Sequence, residues 1–271
     1  MTKPISAHAQ TLKILRENQM KAKKHFGQNF IIDPSVVTKI AQVSDIQDKV
    51  VIEVGPGLGA LTEQLSALAS KVIAYEIDPQ CVDVLEKHFV DSNVEIRFKD
   101  FLTVDSLEII ESNATHLVGN LPYYITTPIL FHVLENMDTI EVITIMVQKE
   151  VAQRFNAKVG TKEYNALTII LETLCDVKTV MKVNPKVFLP MPNVDSAVVQ
   201  LRRKPGMSFP EQKQFFEFVK QSFTQRRKTL TNNLRHYPDL LKHLEAMNIS
   251  SSIRAEALTL NQFKELYQRS L

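Results

Sequence analysis

From residue 50 onward, short apolar runs alternate with stretches of helical spacing, and this alternation constrains the fold more than any other feature of the chain. The runs 50–54 (VVIEV), 72–77, 94–98, 116–118 and 142–147 read as strands, and the stretches 61–69, 81–89 and 128–134 between them read as helices. Such an order implies a parallel sheet covered on both faces by right-handed crossovers. After a helix at 166–174, two further strands at 177–183 and 196–201 flank the proline-rich turn PKVFLPMPNVD. That hairpin-like pair makes the last strand antiparallel and completes a mostly parallel, seven-stranded, Rossmann-like α/β fold.

Lys204-Pro205-Gly206 reads as a linker. Beyond it, 211–224, 229–235, 240–247 and 261–269 all have helical patterning, so the tail forms a small all-helical domain. Upstream, 11–20 reads as a short helix, and Asp33-Pro34 supplies an N-cap and a first-turn proline for a helix at 36–43. The expected organisation is a basic N-terminal extension (1–25), an α/β domain (26–204) and a helical domain (205–271).

A chain of 271 residues is long enough for one α/β domain with a smaller companion. Its two cysteines, Cys81 and Cys175, lie far apart in apolar contexts, and its seven histidines show no ligand spacing, so neither a disulfide framework nor a metal site is expected. No run of eighteen apolar residues marks a membrane span, and the first thirty residues lack the apolar core of a secretion signal, which points to a cytoplasmic protein. Net charge is +2, but it is unevenly placed. Residues 1–30 carry six Lys or Arg against one acid, 202–271 thirteen against six, and 31–201 thirteen against twenty-three. Two basic ends on an acidic body suggest that the ends meet a polyanion.

Gly55, Gly57 and Gly59 in EVGPGLGALT follow the first strand and open the first helix. Glycines let the backbone turn sharply there and let a ligand approach it closely, although a plain strand-to-helix turn has the same pattern. Glu76 ends the second strand about twenty residues later, where an acid accepts hydrogen bonds from ribose hydroxyls. Asp100 after the third strand is placed to accept from an adenine amine, and Asn120 follows the fourth; residues at successive strand ends share one rim. A dinucleotide fingerprint needs its third glycine where this chain has Ala60, so an adenosyl group with a sulfonium tail suits the rim better than a pyrophosphate.

The stretch VGNLPYYITT carries the chemistry. Asn120 offers an amide oxygen, Leu121 a carbonyl that the following Pro122 pushes towards extended backbone, and Tyr123 an aromatic face. Two acceptors and a stacking platform fit a flat ring bearing an exocyclic amine. Taken alone, N-x-P-Y also fits a proline turn after a buried strand, and it is the upstream rim that favours the site.

With these residues placed, the chain closely resembles the small-subunit (16S-type) ribosomal RNA adenine N6,N6-dimethyltransferases, within the wider family of S-adenosylmethionine-dependent RNA adenine dimethylases. The likeness runs from Lys23 to the end and rests on KKHFGQNFIID, EVGPGLGALT, NLPYYITTP, VQKEVAQRF with GTKEYNALT, VFLPMPNVDSAV and SFTQRRKTLTNNL. It implies that Asn29 and the backbone near Ile31 close over the methyl donor, that Gly55 lies against its amino-acid moiety, and that Glu76 and Asp100 hold its ribose and adenine. It further implies that Asn120 stands between donor and target base and that Tyr123 stacks on that base. No metal is required. One departure is Asn165, where Gly or Ser is expected; asparagine tolerates left-handed backbone, so the change is mild.

The implied partner is 16S rRNA, in the small subunit or its assembly intermediate, bound by a monomer. Arg202, Arg203, Lys204, Arg226, Arg227 and Lys228 form two basic clusters around the start of the tail that would meet phosphates, with salt-sensitive affinity. Two other readings share the rim: a large-subunit (23S) rRNA dimethylase of the macrolide-resistance type, against which SFTQRRKTLTNNL and the full helical tail stand, and a non-catalytic assembly factor. A dinucleotide dehydrogenase fails on the glycine spacing.

Overall fold

The computed structural model describes residues 3–23 and 26–271. Met1, Thr2, Lys24 and His25 lie outside the described residues, and with them parts of the expected N-terminal extension and of its lysine cluster. The first half of the chain runs α1 (His8–Glu17), β1 (Phe30–Ile31), α2 (Pro34–Val43), β2 (Val50–Val54), α3 (Ala60–Ser66), β3 (Lys71–Glu76), α4 (Pro79–His88), β4 (Val94–Phe98), α5 (Ser106–Ser112), β5 (His116–Asn120) and α6 (Thr126–Asn136). The second half runs β6 (Val142–Gln148), α7 (Lys149–Phe155), α8 (Ala166–Leu174), β7 (Cys175–Val183), β8 (Phe188–Leu189), β9 (Ser196–Arg203), α9 (Phe209–Ser222), α10 (Leu230–Asn233), α11 (Leu240–Ala246) and α12 (Leu260–Arg269).

Seven strands form one sheet in the order β4-β3-β2-β5-β6-β9-β7. The pairings among β2 to β6 are parallel, and β9 runs antiparallel to β6 with Ile143 opposite Leu201. The central strands are apolar and buried on both faces, as helices above and below a parallel sheet require. Strand order reverses between β2 and β5: β3 and β4 extend to one side, β5 and β6 to the other. In open α/β sheets ligands bind beyond the carboxyl ends of the strands at such a reversal.

Gly119 keeps the two central strands close there, because a Cβ on it would stand 2.8 Å from the Val54 carbonyl oxygen. The loop after β2 and the end of β5 are thereby brought side by side. The helices start where the sequence places their caps: Asp33 accepts from Ser35 N–H, and Asp78 from Gln80 N–H, each followed by proline. Asn165 is in extended backbone (φ −157°), not left-handed, and caps α8 by accepting from Leu167 N–H, which explains why asparagine serves at this position.

The chain divides into two compact units, residues 1–152 with 178–203, and residues 153–177 with 204–271. Segment 153–177, which the sequence reading places in the α/β domain, belongs with the tail because α8 packs on α9 and α12. The core of this second unit is aromatic, with Phe209, Phe216, Phe218 and Phe263 all buried and Phe218 edge-on to Tyr237 at 4.9 Å.

Candidate active site

A cavity of about 1040 Å³, its open mouth included, lies over the reversal point of the sheet. Its lining brings together Asn29, Ile31, Gly55, Gly57, Glu76, Asp100 and Asn120 to Tyr123, all of the residues that the sequence places on the rim.

One wall is made by the glycine loop. Gly57 has φ +59°, and a Cβ there would stand 3.3 Å from the Phe30 ring, so a side chain is excluded by both backbone and space. The Gly57 N–H donates to Glu76 Oε2 at 3.0 Å, while Glu76 Oε1 accepts from Ile77 N–H at 2.8 Å and Asp78 N–H at 2.9 Å. Glu76 is therefore a buried carboxylate that ties the end of β3 to the loop after β2. Burial pushes its carboxyl above the ordinary value, against the pull of these three N–H donors. Glu76 itself lines the cavity. Asp100 is exposed and caps the next turn, accepting from Leu102 N–H at 2.9 Å.

The opposite wall is the end of β5. Asn120 Nδ2 donates to the Asn29 carbonyl at 3.1 Å, which fixes the amide with Oδ1 outward. Among the described residues no donor meets Asn120 Oδ1 or the Leu121 carbonyl, whereas the Pro122 carbonyl takes Ile125 N–H at 3.1 Å and the Thr126 hydroxyl at 3.2 Å. The Leu121 side chain is buried, so the residue presents only its backbone. The Tyr123 hydroxyl lies 2.8 Å from Ser196 Oγ on β9, holding the ring in place, and burial raises the phenol above its ordinary value, so it stays neutral.

Among the lining residues that the sequence reading assigned no role are Glu53, Ile5 and Thr11. Glu53 is buried in β2, with Oε2 lacking a hydrogen-bond partner among the described residues. Burial pushes its carboxyl up to about 8, with the Thr62 hydroxyl opposing and Glu76 adding to the rise. The signal available was an acid within an otherwise apolar central strand. Ile5 and Thr11, from the N-terminal segment, also line the cavity; nothing in their sequence context marks them.

None of the six basic residues lines this cavity, and they differ in availability. Arg203 is nine-tenths buried and donates to the carbonyls of Ile140 at 3.2 Å and Met137 at 3.3 Å. Arg202 is paired with Asp45, and the Lys204 ammonium donates to the Glu172 carbonyl at 2.6 Å. Arg226 donates to the Lys162 carbonyl. Arg227 and Lys228 are exposed, with no side-chain partner among the described residues.

The ribosomal RNA adenine dimethylase family model matches residues 19–270. The chain is 42% identical over 281 residues to a ribosomal RNA small subunit methyltransferase A of Bacillus mycoides, covering 97% of this chain and 96% of that protein. It is 40% identical to the protein of the same name from Mycoplasmopsis pulmonis, covering 92% and 98%. Among solved structures, a dimethyladenosine transferase from Plasmodium falciparum superposes with a TM-score of 0.72 at 27% identity, covering 88% of this chain and 96% of that one. The 23S rRNA methyltransferase ErmE superposes with a TM-score of 0.67 at 29% identity, covering 89% and 99%.

Proposed function

The chain belongs to the ribosomal RNA adenine dimethylase family, and from that premise we propose how its residues divide the work. The protein is an S-adenosylmethionine-dependent methyltransferase that acts on N6 of two adjacent adenosines in a hairpin loop near the 3′ end of 16S rRNA, giving N6,N6-dimethyladenosine. The observation that carries the assignment of roles is the pair of unfilled acceptors, Asn120 Oδ1 and the Leu121 carbonyl, beside a glycine loop held by a buried acid.

The cavity fits the methyl donor: Gly57 in its lining leaves backbone free of a side chain where a Cβ would meet the Phe30 ring, and Glu53 leaves a buried oxygen unpartnered in the same lining. When bound, S-adenosylmethionine supplies an activated methyl group. Gly55 and Gly57 form the bed for its amino-acid end, Glu76 takes the ribose hydroxyls, Asp100 the adenine amine, and Asn29 and Ile31 close over it. Asn120 Oδ1 and the Leu121 carbonyl each accept one N–H of the target amine. The N6 lone pair of adenine is delocalised into its ring, and two directed acceptors favour a more tetrahedral nitrogen with its lone pair aimed at the methyl group. Tyr123, braced by Ser196, stacks on the base that has left its own stack. Positioning and electrostatics of this kind supply the acceleration, and no strong general base is needed. Each transfer leaves the nitrogen cationic, and it loses one proton to water; for the second transfer the monomethylated amine turns and offers its remaining N–H to one of the same acceptors.

Phosphate contacts fall on Arg227 and Lys228, whose side chains are exposed and unpaired among the described residues, with Arg226 beside them. The proposal extends to a monomer acting in the cytoplasm on the small subunit or its assembly intermediate. The test is incubation with labelled S-adenosylmethionine and, in parallel, unmodified small subunits, unmodified large subunits and naked rRNA, followed by nucleoside mass spectrometry. Dimethyladenosine from small-subunit material alone is the expected result. Dimethyladenosine in large-subunit RNA would assign the 23S specificity instead, and RNA binding without any label would assign an assembly factor.

A further inference from the structure

The N-terminal segment is basic and hydrophilic by composition, yet the structure folds it into the donor cavity. Ile5, Ile14 and Met20 are buried in one apolar cluster with residues of α2 and α3, and Ser6 and Thr11 are buried as well. Ile5 and Thr11 reach the cavity lining itself. Polar tethers along this stretch are few. Ile5 N–H donates to Glu63 Oε2 on α3 at 3.1 Å, and the Thr11 hydroxyl returns to the Ile5 carbonyl at 2.8 Å, locking the start of α1 to the segment before it. The N-cap of α1, Ala7, provides no side-chain hydrogen bond, and its first turn has no acid. Most of what holds the segment down is therefore apolar burial over a cavity.

A second observation points to the same place. Among the described residues, Glu53 Oε2 on β2, in the cavity lining, lacks a hydrogen-bond partner. Buried polar atoms in native folds are normally satisfied, so an unpartnered oxygen in a cavity lining fits a site that a polar ligand completes.

The topology separates this wall from the base-binding wall. Ile5 is tied to α3, which follows β2, whereas Tyr123 is tied to Ser196 on β9, three strands further along the sheet. We propose that residues 4–17 form a strap that completes the methyl-donor site through Ile5 and Thr11, and that the donor and its spent product exchange by lifting this strap while the RNA keeps its place at Tyr123. The inference rests on the function proposed above, in which two adenosines take four methyl groups in all, so that the cavity releases spent donor and admits fresh donor for each one.

The experiment measures dissociation of S-adenosylmethionine by stopped flow in the full-length protein, in Ile5→Ala and Thr11→Val, and in Leu12→Ala, whose side chain is exposed on α1. Amide exchange of residues 5–17 is followed with and without donor. Dissociation should quicken about tenfold in the first two variants and stay unchanged in Leu12→Ala, and donor should slow amide exchange of the strap by about tenfold. RNA affinity should be the same in all four proteins. Thermal unfolding identifies any variant that has simply lost its fold, and in that case the exchange measurement on the unaltered protein decides. Unchanged dissociation in folded Ile5→Ala and Thr11→Val, or strap exchange indifferent to donor, would overturn the strap. Failure of the unaltered protein to bind S-adenosylmethionine at all would instead overturn the functional reading beneath it.

Discussion

The two walls of the cavity handle their hydrogen bonds in opposite ways. On the donor wall, polar groups are joined to one another before any ligand arrives: Glu76 already holds Gly57, Ile77 and Asp78 by their backbone N–H groups. On the base wall, Asn120 uses its N–H to fix its own orientation and leaves its oxygen open beside an open Leu121 carbonyl. A wall for tight, repeated binding is organised around backbone that cannot shift, whereas a wall that must favour a transition state keeps its acceptors for that moment. The contrast predicts different kinetic signatures for substitutions on either side.

The largest effect is expected on the base wall. Asn120→Ala should slow methyl transfer by about two to three orders of magnitude, as removal of a preorganised group at a reacting centre does, while calorimetry finds donor affinity within about threefold of the original. A parallel loss of donor affinity would erase the distinction between the walls. On the donor wall, Glu76→Ala should weaken donor affinity by about ten- to a hundredfold, the range for losing hydrogen bonds to a charged group. Normal affinity by calorimetry would remove Glu76 from the site.

Glu53 sharpens the donor wall by its pH dependence. Its folded-state carboxyl is raised from 4.5 to about 8, so its contribution to stability is full below 4.5 and is lost as pH rises to about 8. Urea unfolding at pH 5.5 and 8.5 should show the protein losing on the order of 1 kcal/mol or more between them, and Glu53→Gln losing less. An identical loss in both would mean that Glu53 is not held neutral. The smallest effect belongs outside the cavity: Arg227→Ala should lower RNA affinity modestly and reduce the salt slope by about 0.7, the share of one phosphate on single-stranded RNA. An unchanged slope would place Arg227 away from the backbone of the RNA.

Sequence periodicity and strand-end chemistry located most of this. The runs 50–54 and 94–98 and the helix 166–174 coincide with β2, β4 and α8, since buried parallel strands and capped helices announce themselves locally. Gly55, Gly57, Glu76, Asp100 and Asn120 were legible because each ends or follows a strand, whereas Asn29 and Ile31 came only with the family resemblance. Other features depend on distant partners. The pairing of β1 with β8 involves two residues on each side, too short for any pattern, and α5 was missed because Leu107 and Ile110 are exposed and blur its apolar face. The position of β9 between β6 and β7 is likewise a non-local choice.

Charge was the least specific guide. It grouped Arg203 with its neighbours although its guanidinium is taken up by the carbonyls of Met137 and Ile140, and it gave no sign that Ile5, Ile14 and Met20 of the basic N-terminal segment are buried. A few buried apolar residues decide where a basic segment goes, and its exposed lysines follow.

The account is tested most directly by single-turnover methyl transfer to unmodified small subunits at saturating S-adenosylmethionine. Excess donor restores a defect of binding but not one of transition-state stabilisation, so Glu76→Ala should return to within about threefold of the original rate while Asn120→Ala stays slower by about two orders of magnitude. Recovery of Asn120→Ala at high donor, or a Glu76→Ala enzyme that stays equally slow, would contradict the division of the cavity into a donor wall and a base wall.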